Sequence, residues 1–193
     1  MLRRLAPSLI ALLTSATAVA AKNTNEDWKW ASEYYATYGE WTVACDHRSD
    51  DETVKRCYLR YVDAYARDPF GALFVFVTRS GETGLRFNFE YERGVRFTAP
   101  WSVTENETPV YAFDPAGCPS GSECPIGGDE ASEMAEAFSA ANRQISFALT
   151  DRSRRAFNLA WPTDGFAEAL DDLTTQSEAR NLQAPTPTGP ARP

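Results

Sequence analysis

Polar and apolar positions along this chain fall into short runs of period two, separated by glycine, proline and acidic breaks. Behind Gly39, Trp41, Val43 and Cys45 alternate with Glu40, Thr42 and Ala44, which predicts a half-buried strand. A polar connection (DHRSDDETVKR) follows, and Cys57, Leu59 and Tyr61 open a second strand. The continuous run Ala72-Leu73-Phe74-Val75-Phe76-Val77 predicts a central strand buried on both faces. Leu85, Phe87, Phe89 and Tyr91 alternate with Arg86, Asn88 and Glu90, and Val95 with Phe97 follows the turn at Glu92-Arg93-Gly94. Residues 101–128 are less regular, with a short strand over Val110–Phe113 and a Gly/Pro-dense turn beyond it.

The period then changes. Met134, Ala137, Phe138 and Ala141 share one stripe, so a helix is predicted over Asp129–Ala141, with Asp129 as its N-cap. Ile145, Phe147 and Leu149 alternate up to the turn Asp151–Arg155, and Phe157, Leu159 and Trp161 alternate back as a hairpin. Pro162-Thr163-Asp164-Gly165 introduces a second helix with the stripe Phe166, Ala169, Leu170 and Leu173. Seven or eight short strands with two short helices predict a mainly β protein, an antiparallel β-sandwich of immunoglobulin-like architecture. Two facing sheets are what it takes to cover the Phe-rich rows.

Both ends of the chain read differently from this domain. Residues 1–21 have the form of a secretory signal: Arg3 and Arg4, an apolar run from Leu9 to Leu13, and small residues at Ala18-Val19-Ala20 for cleavage after Ala20 or Ala21. The apolar run is well short of the about 20 residues a membrane span needs. Residues 22–37 form an aromatic-rich arm, residues 38–175 the sandwich, and residues 176–193 a Pro-rich tail expected to be disordered. Losing the two arginines of the signal takes the formal charge from −8 to −10. That acidity argues against a nucleic-acid partner and against a purely electrostatic hold on anionic lipid.

Four cysteines in an exported chain allow three pairings. Cys45 with Cys57 and Cys118 with Cys124 is the favoured one, because each closes a short polar loop. A four-thiolate zinc site or a redox dithiol would call for C-x-x-C spacing, which neither pair has.

Candidate chemistry is sparse. His47 is the sole histidine, so a multi-histidine metal site is excluded, and a Ser49–His47–Asp arrangement exists only as local adjacency. Asp50-Asp51-Glu52 offers oxygen ligands for calcium without the glycine and terminal glutamate of a twelve-position loop. Trp28, Trp30, Tyr34 and Tyr35 offer aromatic faces for a sugar. Arg152–Arg155 (RSRR) is a basic turn able to hold a carboxylate or phosphate, or simply a charged hairpin tip. Asn106-Glu107-Thr108 is a glycosylation sequon of consequence only in a eukaryotic source.

Taken together, Tyr38-Gly39-Glu40-Trp41-Thr42-Val43-Ala44-Cys45, Cys57-Tyr58-Leu59, the pair Cys118 and Cys124, and Gly165-Phe166-Ala167-Glu168-Ala169-Leu170 resemble the invasion-associated locus B family of exported bacterial proteins. The resemblance spans about residues 38–173. It implies an immunoglobulin-like sandwich in the periplasm or at the outer surface, linked to host-cell invasion and virulence, and it brings no catalytic residues and no cofactor. The expectation is therefore a non-enzymatic, monomeric envelope protein that binds an envelope or host-surface macromolecule. A periplasmic maintenance factor, a sugar-binding module and a His47-dependent hydrolase are its rivals.

Overall fold

The computed structural model describes residues 30–79, 84–118 and 121–182. The signal segment, Trp28 and most of the arm before Trp30 lie outside that range, as do residues 183–193. Eleven strands and two helices lie inside it. A six-stranded antiparallel sheet runs in the order β1 (Trp30–Tyr38), β2 (Trp41–Arg48), β3 (Asp51–Arg67), β4 (Phe70–Arg79), β5 (Leu85–Tyr91) and β9 (Glu123–Ile126). Its partner sheet has the order β11 (Ala156–Pro162), β10 (Arg143–Thr150), β7 (Trp101–Glu105) and β8 (Thr108–Phe113), with β6 (Arg96–Phe97) paired to β10. Helix α1 spans Gly128–Ser139 and helix α2 spans Phe166–Ala179.

Two kinds of cover share the inner face of the large sheet. On β5, Phe87 meets the helices through Phe138 and Phe166, at centroid distances of 5.6 and 6.2 Å. Two residues on, Phe89 meets the small sheet through Trp101 and Phe147, at 4.4 and 6.2 Å. One buried cluster therefore joins a sheet-on-sheet half to a helix-on-sheet half. The antiparallel β-sandwich with two helices is the architecture expected.

The β2–β3 connection differs from expectation. Strand pairing continues as His47↔Lys55 and Asp46↔Arg56, so most of the anticipated polar loop is a ribbon and the turn is short. Cross-strand opposite charges favour this pairing, since Asp46 accepts from Arg56 and from Tyr58. The first disulfide consequently joins residues directly opposite one another, Cys45↔Cys57, with Cα atoms 4.1 Å apart. Cys118 bonds Cys124. Such bridges fit an oxidising, non-cytoplasmic compartment, and no helix among the described residues is long and apolar enough to cross a membrane.

Chain entropy ranks the two bridges. The Cys45→Ala/Cys57→Ala protein is expected to lose about 3 kcal/mol and the Cys118→Ala/Cys124→Ala protein about 2 kcal/mol, following their closed loops. Urea unfolding of the three proteins checks the ranking; equal midpoints for all three would show that the bridges do not limit the unfolded chain.

Strand β4 is central, yet beyond its buried start at Gly71 and Ala72 only the inner row Leu73, Val75 and Val77 is fully buried. Phe74 and Phe76 are half-exposed on the outer side, because no layer packs there and their cover is one another and Tyr58. Helix α1 begins one residue earlier than predicted, with Gly127 at the cap and no side-chain capping bond; Asp129 instead sits in the first turn. Strands β7 and β9 occupy the stretch whose pattern is irregular. The aromatic arm contributes β1, and α2 continues past residue 175 to Ala179, with Leu173 and Ser177 buried on its inner stripe.

Two glycines set the geometry where the chain's opening and closing motifs meet. Gly39 takes φ +59 in the β1–β2 turn, and Gly165 takes φ +86 at the start of α2. They lie against each other. A Cβ on Gly39 would stand 3.0 Å from the Asp164 carbonyl, and one on Gly165 would fall inside the Tyr38 carbonyl. Trp41 Nε1 donates to the Pro162 carbonyl at 3.1 Å across the same junction.

Candidate functional site: an arginine-rich pole

Three turns far apart in sequence converge at one end of the sandwich: Arg67-Asp68-Pro69-Phe70, Glu92-Arg93-Gly94-Val95 and Asp151-Arg152-Ser153-Arg154-Arg155. Two of their three acids, Glu92 and Asp151, are held internally. Glu92 accepts from the Tyr65 hydroxyl and from the Ala72 backbone N–H, both at 3.2 Å, tying the second turn to the first. Arg155 donates to the Asp68 carbonyl at 3.0 Å and to Asp151 Oδ2 at 2.7 Å, tying the third turn to the first. A Cβ on Gly94 would stand 3.3 Å from Arg152 Cβ, so the second and third turns touch.

Asp151 is buried, and burial pushes its carboxyl up. The Arg155 backbone N–H and guanidinium, with the Ser153 N–H, outweigh that and hold it below the usual carboxylate range. Its negative charge is therefore kept, but pointed into the turn.

What remains outside is positive. Arg67, Arg93, Arg96, Arg152 and Arg154 are exposed, and none has an ion-pair partner among the described residues. Asp68 is the one exposed acid of the three turns. Arg154 holds φ +63, a conformation that disfavours a long side chain. Phe70, paired with Arg67 across the first turn, has 60% of its surface exposed. Beside Arg96 a cleft of about 500 Å³ opens, floored by Tyr91, Val95 and Phe97 and walled by Pro100, Asp114 and Cys118. Its size is within the range of small-ligand sites.

The other candidates are placed differently. His47 is half-buried in β2, with Nδ1 3.3 Å from Glu33 Oε1 at ion-pair distance but without hydrogen-bond alignment. Glu33 also accepts from Lys55 at 2.7 Å and Arg180 at 3.2 Å. Lys55 holds its carboxyl below the usual range, with Arg180 and His47 acting in the same sense against burial. This group fastens β1 to its neighbours. It is not a triad, because Asp46 is bound to Arg56 and Tyr58 and Asp50 to Arg48.

Asp51 accepts from Thr53, and no group of three potential metal ligands exists among the described residues. The aromatic ladder is divided. Trp30 lies under the Arg56 guanidinium at 3.9 Å, Tyr34 donates to Asp172 of α2 at 2.8 Å, and Tyr35 is exposed. Burial and then Asp172 push the Tyr34 phenol above its ordinary range, so it stays a donor. Asn106 and Glu107 form the β7–β8 turn with φ +49 and +66.

A solved structure is similar to this chain. It is the crystal structure of invasion associated protein B from Bartonella henselae, with a TM-score of 0.46 and 17% identity, covering 75% of this chain and 99% of that one. The relationship is a distant structural one. No family model matches the chain, and no curated protein does.

The RSRR turn is legible in sequence as a basic cluster, whereas nothing in the local pattern marks Arg67, Phe70, Arg93 and Arg96 as its companions. The available signal was that three separate turns each carry arginine at the tip, which a net-charge argument averages away.

Proposed function

We propose that this chain is an exported, non-enzymatic binding module of invasion-associated locus B type, acting as a monomer in the periplasm or at the outer surface. It attaches to an envelope or host-surface macromolecule, in host interaction or envelope upkeep, through the arginine-rich pole. The observation that carries the reading is the pole itself: five exposed arginines with no ion-pair partner among the described residues, together with an exposed Phe70, on a chain whose formal charge is −8. Concentrated charge of the minority sign marks an orientation for docking. The two disulfides support export, and the engagement of His47, Asp46 and Asp50 in holding strands supports a role without catalysis. The family assignment rests on the opening and closing motifs, whose glycines meet in the fold.

A photo-reactive phenylalanine analogue placed at position 70, against the same analogue at the exposed Val110 of the small sheet, tests this in intact envelopes. Adducts are expected from position 70 alone, and they are expected to vanish in the Arg67→Glu/Arg152→Glu/Arg154→Glu background. Equal adducts from both positions, unchanged by charge reversal, would remove the pole as the binding surface.

A further inference from the structure

We infer that the macromolecular surface met by this pole is an anionic lipid bilayer, with Phe70 as the inserted wedge and the surrounding arginines on the headgroups; the inference rests on the binding role proposed above. Three features favour lipid over another polyanion. The cations come from three separate turns that meet at one end of the fold, a spread that suits a plane better than a single strand tracked along a groove. An exposed apolar ring, Phe70, is paired with Arg67 across the first turn, and an apolar side chain beside cations can bury at the headgroup–acyl boundary while the cations meet the headgroups. Two of the three acids of the turns are consumed internally, Glu92 by Tyr65 and Ala72 and Asp151 by Ser153 and Arg155, which leaves Asp68 as the one exposed carboxylate against five exposed arginines.

The acidic remainder of the chain contributes orientation. A net-acidic body is repelled by an anionic bilayer, so attraction is strongest with this end down, and it decays within a Debye length of about 10 Å at 0.1 M salt. The expectation from composition, that acidity disfavours an electrostatic hold on lipid, is thus replaced by a hold confined to one end and reinforced by an apolar contact. Each arginine near such a surface strengthens binding by about fivefold.

The test uses the exported, oxidised protein and flotation with vesicles of equal parts phosphatidylglycerol and phosphatidylcholine, against phosphatidylcholine alone. Binding to the anionic vesicles only, weakened by salt, is expected. Arg67→Gln/Arg152→Gln/Arg154→Gln should weaken it about 100-fold. Phe70→Ser should weaken it about tenfold and leave the salt dependence in place. Arg60→Gln/Arg86→Gln, on the outer face of the large sheet, should bind as the parent does.

Vesicle binding that ignores both pole variants would overturn the inference, as would equal binding to neutral vesicles. Failure to float, together with retention on heparin or duplex DNA lost in the arginine variant, would also overturn it in favour of a soluble polyanion. Specific crosslinks from position 70 in that case would leave the broader binding role standing. Absence of both flotation and crosslinks would remove the two together.

Discussion

Gly165→Ala is expected to leave little folded protein. Two costs combine at this position. A side chain at φ +86 enters the left-handed region, which costs about 1–2 kcal/mol for a residue with a Cβ. The larger cost is spatial: the added methyl would fall inside the Tyr38 carbonyl and stand 3.2 Å from the Gly39 nitrogen, both backbone atoms. A flexible side chain can rotate away; a β-turn fixed by its own two strands cannot. The turn must lift, and with it goes the Trp41 bond to Pro162. A combined loss of about 3–5 kcal/mol is a large part of the 5–15 kcal/mol that stabilises an ordinary domain. Gly117→Ala is the control, since its Cβ meets nothing within 4 Å and its φ is not positive. Urea midpoints and soluble yield of the oxidised proteins would check this; a Gly165→Ala midpoint within experimental error of Gly117→Ala would show that the two motifs do not bear on each other.

That contact also shows what kind of information the sequence carries. The period-two rows of Leu85–Tyr91 and Ile145–Leu149 are legible because each strand has one dry face, and burial writes itself into alternation. Trp41–Cys45 alternates in the same way but is not the half-buried strand expected, since Thr42 and Ala44 are buried as well as Trp41, Val43 and Cys45. The paired halves of the β10–β11 hairpin are legible for the same reason, and Ile145 does face Trp161. The β2–β3 ribbon is not, because beyond Cys45 it carries charge on both sides and resembles a loop in composition. Strand β4 misleads in the opposite direction. Its unbroken apolar run reads as burial on both faces, whereas Phe74 and Phe76 shelter one another on an open side. The candidate site was the least legible part. Arg67, Arg93 and Arg152 are separated by tens of positions, and only the meander of the large sheet together with the β10–β11 hairpin brings them to one end. Local patterning cannot encode a patch assembled from three turns; a topology can.

Trp41→Ala should be the most damaging change inside the core, with an expected loss of about 3–5 kcal/mol. The indole is fully buried and stands where the two kinds of cover join. Its ring centroid lies 4.9 Å from Phe166 of α2, 6.3 Å from Phe138 of α1 and 5.1 Å from Tyr61 of β3. Tyr61 in turn stacks on Trp161 of the small sheet at 4.6 Å. Truncation removes apolar contact on both sides and leaves the Pro162 carbonyl without its donor, itself about 1–3 kcal/mol when no other partner reaches it. Trp101 supplies the comparison. It is equally part of the core, but its Nε1 has no hydrogen-bond partner among the described residues, so Trp101→Phe gives up no hydrogen bond there while Trp41→Phe gives up one. Trp41→Phe is therefore expected to be the more costly of the two conservative changes. Hydrogen exchange locates the damage: in Trp41→Ala, protection should fall first in α1 and α2, because those helices pack on the large sheet through the seam that Trp41 centres, while β7, β10 and β11 keep their own ladder. Uniform loss across helices and small sheet would mean that the two halves of the sandwich unfold as one unit and that the seam at Trp41 holds no more than its own contacts.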